Sequence, residues 1–159
     1  MSSRAETIDA VTAFYKEVVK HPYLDDSALK LPPPSGWQEL DVEALRESGK
    51  TDEVIDLLLH LPYLEDTTHA RKNRVLVQED TTSIAYHLGK RTKMEETNPL
   101  PGHCVYLTEG LGREGYSLIV NTKKGKADMT SWIMNRRLLK PGRHHNHVQH
   151  YGSSAPARQ

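Results

Sequence analysis

The sequence predicts an α+β domain, with N-terminal helices packed on a small antiparallel β-meander and a disordered, basic, His-rich C-terminal tail. Three observations carry that expectation. Up to Pro62 the apolar residues recur at helical spacing; from Arg74 to Asn121 they gather in short runs rich in Val, Ile, Tyr and Thr; and helix-like and strand-like segments do not alternate. With 159 residues, 36% of them hydrophobic, there is apolar material for one core and not two. One domain over residues 1–140 is expected, followed by the tail at 141–159.

The first helix opens at Ser3-Arg4-Ala5-Glu6, which has capping-box spacing, and its stripe is Ile8, Val11, Tyr15, Val18 and Val19 until Pro22 stops it. Leu31-Pro32-Pro33-Pro34-Ser35-Gly36-Trp37 cannot be helix interior, because three prolines remove donors; it reads as a stiff link with Trp37 packed at its end. Asp41 caps a short helix that Gly49 closes. Thr51 caps the next, whose Val54, Ile55, Leu57, Leu58, Leu59 and Leu61 are apolar nearly all round, so that helix should be central. His21-Pro22-Tyr23-Leu24-Asp25-Asp26 matches Leu61-Pro62-Tyr63-Leu64-Glu65-Asp66 at an offset of 40 residues; two copies read as a shared stop signal and not as a repeat array.

Strands are expected at Arg74 to Gln78, Thr81 to Leu88, Cys104 to Thr108 and Tyr116 to Asn121. Between them, Gly89 to Gly102 reads as a charged, exposed and mobile loop. Gly110, Gly112 and Gly115 read as a hairpin connection that needs positive φ. The same residues match G-x-G-x-x-G, but that fingerprint must open a helix, and here Tyr-Ser-Leu-Ile-Val follows with no acidic residue after Asp128. No nucleotide cofactor is expected, nor any other. Trp132, Ile133, Leu138 and Leu139 suit one more short helix or strand edge.

The charges balance at 21 basic and 21 acidic, yet they are graded along the chain. Residues 1–66 carry 6 basic and 14 acidic side chains, residues 67–120 carry 7 and 6, and residues 121–159 carry 8 and 1. Opposite ends can attract one another within or between molecules, or the basic end can touch phosphate or an anionic surface. Arg136, Arg137, Lys140 and Arg143, with Lys123, Lys124 and Lys126, supply that contact, but few aromatics accompany them, so sequence-specific nucleic-acid recognition is not expected. A lone cysteine, Cys104, a charged N-terminus and no apolar run of membrane length indicate a cytoplasmic or nuclear protein without a transmembrane segment.

Motifs for the commonest enzyme classes, G-x-S-x-G, H-E-x-x-H and a P-loop, are absent. His144, His147 and His150 recur at helical-turn spacing and are the candidate metal ligands, though no cysteine or carboxylate accompanies them. His103 and Cys104 point to opposite faces of a strand and form no dyad, which leaves Cys104 as a small buried hydrophobe. The expected function is a non-catalytic interaction or regulatory module that meets an unknown protein partner through Glu109, Arg113, Glu114, Tyr116 and Trp37. The alternative is a small cofactor-free enzyme using His87 or His103 with Glu109 in a pocket between helices and sheet.

Leu31-Pro32-Pro33-Pro34-Ser35-Gly36-Trp37, His60-Leu61-Pro62-Tyr63-Leu64, Tyr106-Leu107-Thr108-Glu109-Gly110, Arg113-Glu114-Gly115-Tyr116-Ser117-Leu118 and Asn121-Thr122 with Gly125 resemble a set of small filamentous-fungal proteins without assigned activity. The resemblance spans roughly residues 5–126. In layout, helices followed by a small meander, the chain also resembles the SUKH superfamily of fungal cell-wall-synthesis regulators and toxin-immunity proteins. That resemblance implies a protein-binding scaffold. Lys126-Ala127-Asp128-Met129-Thr130 departs from the β-branched continuation the fungal set implies.

Overall fold

A computed structural model describes residues 4–22, 24–65, 75–89, 93–111, 113–124 and 132–134. The order is helical first and stranded second: α1 Arg4–Val18, β1 Leu29–Lys30, α2 Val42–Glu47, α3 Asp52–His60, β2 Tyr63–Leu64, β3 Leu76–Gln78, β4 Thr81–Ser83, α4 Lys93–Thr97, β5 Cys104–Tyr106, β6 Thr108–Gly110, β7 Tyr116–Asn121 and β8 Trp132–Met134. All strand pairs are antiparallel, in a β1–β2 ribbon and two three-stranded sheets ordered β3-β4-β6 and β5-β7-β8. The α+β expectation holds.

On α1 the buried side chains Val11, Tyr15 and Val18 follow the predicted stripe, and the guanidinium of Arg4 reaches the Asp56 carboxylate of α3 at 3.1 Å. The proposed cap Ser3 lies outside the described residues. α3 is the central helix, with Val54 and Leu58 fully enclosed. Because the last carbonyls of any helix lack intrahelical donors, its C-terminal turn needs outside partners. The proline link supplies them: Trp37 donates its backbone N–H to Leu59 O at 3.0 Å and its indole Nε1–H to Leu61 O at 2.8 Å. Tyr63 adds its hydroxyl to Leu58 O at 2.6 Å. Gly36 makes that docking possible, since its φ is +79° and a Cβ there would stand 3.1 Å from Leu59 O.

Residues 104–110 form one extended run that changes sheets at Leu107. Before it, β5 pairs with β7; after it, β6 pairs with β4. Leu107 holds both sides, donating to Leu118 O at 2.7 Å and accepting from Ile84 N–H at 3.1 Å. Beyond that point β6 cannot complete a backbone ladder to β7, and hydroxyls replace it. Thr108 Oγ1 accepts from Leu118 N–H at 2.8 Å and donates to Tyr116 O at 3.3 Å; Ser117 Oγ accepts from Gly110 N–H, and Thr81 Oγ1 from Tyr116 N–H. Buried Thr81, Thr108 and Ser117 are thus the stitches between two sheets.

Three expectations need correction. The strand predicted from Thr81 to Leu88 ends at Ser83, and Tyr86–Leu88 is a 3-10 turn closed by Gly89 at φ +67°, because the local bonds Leu88 N to Ala85 O and Gly89 N to Tyr86 O replace a ladder. The loop predicted from Gly89 to Gly102 contains α4, with Met94 buried and Tyr106 Oη donating to Asn98 O at 3.0 Å. Among the described loop glycines, Gly110 and Gly115 are not left-handed. Their value is close approach: a Cβ on Gly115 would meet Asp80 O at 2.1 Å, and one on Gly110 would meet the Gly115 carbonyl carbon at 2.7 Å. The left-handed residue is Asp80, at φ +52°, in the β3–β4 turn.

A strand follows Gly115 and not a helix, so the nucleotide fingerprint is not formed. Trp132 and Ile133 lie on a strand, β8, which pairs with β7 from Tyr116 to Leu118. Among the described residues no helix is long and apolar enough to cross a membrane. The predicted tail at 141–159 lies outside the described residues.

Candidate functional site

A pocket of about 530 Å³ opens between α2, α4 and the turn at Tyr86–Gly89. Its walls are Leu40, Ala44, Leu45, Pro99 and Leu100; its polar groups include Lys50, Tyr86 and Glu95. Asp41 and Ala44 stand on one wall because the Asp41 carboxylate accepts from Ala44 N–H at 2.9 Å and starts α2 there. Gly49, at φ +80°, then turns the chain out of the helix so that Lys50 points inward, its N–H bonded to Leu45 O at 3.1 Å. Gly102 lies so close beneath this turn that a Cβ would stand 2.0 Å from Gly49 O.

Lys50 is the unusual residue. Its side chain is only 5% exposed, its ammonium donates to Cys104 O at 2.9 Å, and the Glu95 carboxylate lies at 3.7 Å. Burying an ammonium is costly unless an opposite charge and hydrogen bonds accompany it. Both are present. Tyr86 completes the group, with its hydroxyl 2.9 Å from Tyr106 O and 3.2 Å from Glu95 Oε1. Burial, then the adjacent Glu95 charge, push that phenol well above its ordinary value, so it stays a neutral donor. Two main-chain carbonyls of β5, at Cys104 and Tyr106, therefore hold the cation and the phenol in place.

A second cluster lies next along the chain. His87 stacks on Tyr63 with centroids 4.8 Å apart and planes 16° from parallel, and meets Trp37 at 4.5 Å. Its Nε2 is 3.7 Å from the Glu65 carboxylate, while its buried Nδ1 has no hydrogen-bond partner among the described residues. Burial pulls the imidazole below its ordinary value, and the Glu65 carboxylate opposes that in part.

The residues named from sequence are not gathered at the pocket. His87 and Trp37 meet in the aromatic cluster, while His103 stands in the turn before β5, its carbonyl accepting from Thr122 N–H and Oγ1. Glu109 is on β6 opposite Thr82. Arg113 and Glu114 are exposed, and the Tyr116 hydroxyl contacts Gln78 Oε1. None of His87, His103 or Glu109 lines the pocket. Cys104 is buried, as expected, and its carbonyl oxygen rather than its thiol serves Lys50. His144, His147 and His150 lie outside the described residues, among which no group of three or more His, Cys, Asp or Glu could hold a metal ion.

Sequence reading passed over Lys50, Tyr86 and Glu95. Lys50 sits between Gly49, which closes α2, and Thr51, which precedes α3 but makes no side-chain capping bond there, a place where a lysine ordinarily faces water. Its partners, the Cys104 carbonyl and the Glu95 carboxylate, stand 54 and 45 positions later in the chain. In comparisons with known proteins the chain matches no family model, no curated protein and no solved structure.

Proposed function

We propose that the chain is a non-catalytic binding or regulatory module whose recognition site is the pocket over Lys50, Glu95 and Tyr86. The observation that carries this reading is a cavity of about 530 Å³ with apolar walls and a floor of polar groups already set by main-chain bonds. Ligand sites fall in the range of roughly 300–1,000 Å³ and pair apolar walls with a few placed polar groups. Groups held in advance lose little freedom when a ligand arrives. The same anchoring favours binding over chemistry, because Lys50 and Tyr86 are engaged with carbonyls and with Glu95 instead of poised toward a reacting atom.

Ala44→Trp tests this reading, since Ala44 lines one wall and an indole there fills the space. A screen of small aromatic amides, acids and amines by ligand-observed NMR should find saturable binders of the native chain that Ala44→Trp no longer takes, with thermal unfolding little changed. Binders that Ala44→Trp retains in full would place recognition elsewhere on the molecule.

A further inference from the structure

We infer that this pocket selects neutral ligands that carry a hydrogen-bond acceptor beside a donor, the amide group being the simplest case, and discriminates against carboxylates and amidines of the same shape. The inference rests on the proposed binding role of the pocket and names the class of ligand.

Its basis is the Lys50–Glu95 pair at the floor. The two side chains are 5% and 14% exposed and lie 3.7 Å apart, so each supplies most of the charge compensation the other lacks from water. Such a separation is within ion-pair reach and beyond hydrogen-bond length. Of an ammonium's three N–H donors, Cys104 O takes one. A ligand carbonyl can therefore accept from Lys50. Carboxylate oxygens accept more than one hydrogen bond each, so Glu95 can take a ligand N–H beside the partners it already has, Tyr86 included. Donor and acceptor stand side by side, which is the complement of an amide edge.

Charge decides what is refused. A carboxylate brought to Lys50 also approaches Glu95, and an amidinium brought to Glu95 also approaches Lys50, so either charged ligand meets attraction and repulsion together while losing its hydration. An amide keeps the pair intact and gives up far less hydration. Asp41 and Glu96 also line the pocket, but both are exposed, where water and salt weaken their fields. Above the floor, Leu40, Leu45 and Leu100 accept an apolar body.

The test titrates the full chain with naphthamide, naphthoate and naphthamidine, three molecules of one shape and different charge, following backbone amide resonances of Gly89, Glu96 and Leu100. Naphthamide should shift them saturably and bind at least about tenfold tighter than the other two, the discrimination that one misplaced buried charge produces. In Glu95→Gln the Lys50 charge is no longer offset, so naphthoate should gain about tenfold while naphthamide, still offered an acceptor by the glutamine carbonyl, changes by a few-fold at most. Naphthoate or naphthamidine binding the native pocket as tightly as naphthamide overturns the inference and leaves the binding role standing. Failure of all three to move these resonances overturns both.

Discussion

Lys50 and His87 are neighbours of the same core, and each shows how one ionisable side chain is kept inside it. For Lys50 the means is pairing, and removing one member of a buried pair leaves the other uncompensated. Lys50→Met should lower unfolding free energy by about 3 kcal/mol in urea titrations, and the double variant Lys50→Met, Glu95→Gln should recover part of that loss, because the coupled cost is then removed. A loss in the double variant equal to the sum of the losses of Lys50→Met and Glu95→Gln measured singly would show that the pair is not coupled. For His87 the means is neutrality. Tyr63 stacks on its ring and Trp37 packs beside both, burial above all and then Lys30 disfavour the charged form, and Glu65 and Glu39 oppose them only in part, leaving the imidazole below its ordinary 6.5. A base that titrates lower when folded binds fewer protons than in the unfolded chain, so its stability contribution is complete above about pH 6.5 and declines as pH falls toward the folded value. The native chain should thus lose more stability between about pH 7.5 and about pH 5.5 than His87→Phe, whose ring keeps the stack without the proton. Identical pH profiles for the two chains would mean that His87 does not titrate in this window.

At the scale of elements, the molecule turns on the run from Cys104 to Gly110, which serves two sheets and uses hydroxyls where backbone pairing fails. Thr108→Val keeps the shape and removes both bonds, leaving Leu118 N–H buried without its acceptor, at a cost of about 2 kcal/mol; Thr108→Ser keeps the oxygen and should lose less than half of that. Glycines separate two further mechanisms. Gly115→Ala drives a methyl into Asp80 O and should cost at least about 2 kcal/mol, whereas Gly49→Ala meets open space and pays only for its left-handed φ, about 1 kcal/mol; equal midpoints in thermal melts would refute the distinction. These elements also show what a sequence discloses. The stripes on α1 and α3, the stop at Pro62 and the hairpin to β7 were readable because periodicity and turn residues are local signals. By contrast α4 has a single buried apolar residue, Met94, and no stripe; its place is set by Tyr106 and Lys50, distant in sequence. The reason for Gly115 was hidden likewise, since it depends on Asp80 from another hairpin. Of the candidate pocket almost nothing was readable, because Lys50, Tyr86 and Glu95 come from three segments and match no spaced motif.

Across the whole molecule the acidic and basic halves are segregated, and the segregation is steepest at the end. Residues 135–159 contain Arg136, Arg137, Lys140, Arg143 and Arg158 and no Asp or Glu, while the side chains of the whole chain sum to a formally neutral total. Neutral totals do not prevent binding to polyanions, because contact depends on the local field within a Debye length of about 10 Å at moderate salt. Ending the chain after Met134 retains β8 along β7 and makes the protein five charges more acidic. The full chain should be held on heparin at low salt and released as salt rises, with a slope set by the few cations engaged; the shortened chain should pass through. A melting curve of the shortened chain checks that its fold persists. If that folded, shortened protein were retained as strongly as the full one, the phosphate-type contact would belong to cations before Met134, with Lys123, in the turn after β7, the first to replace.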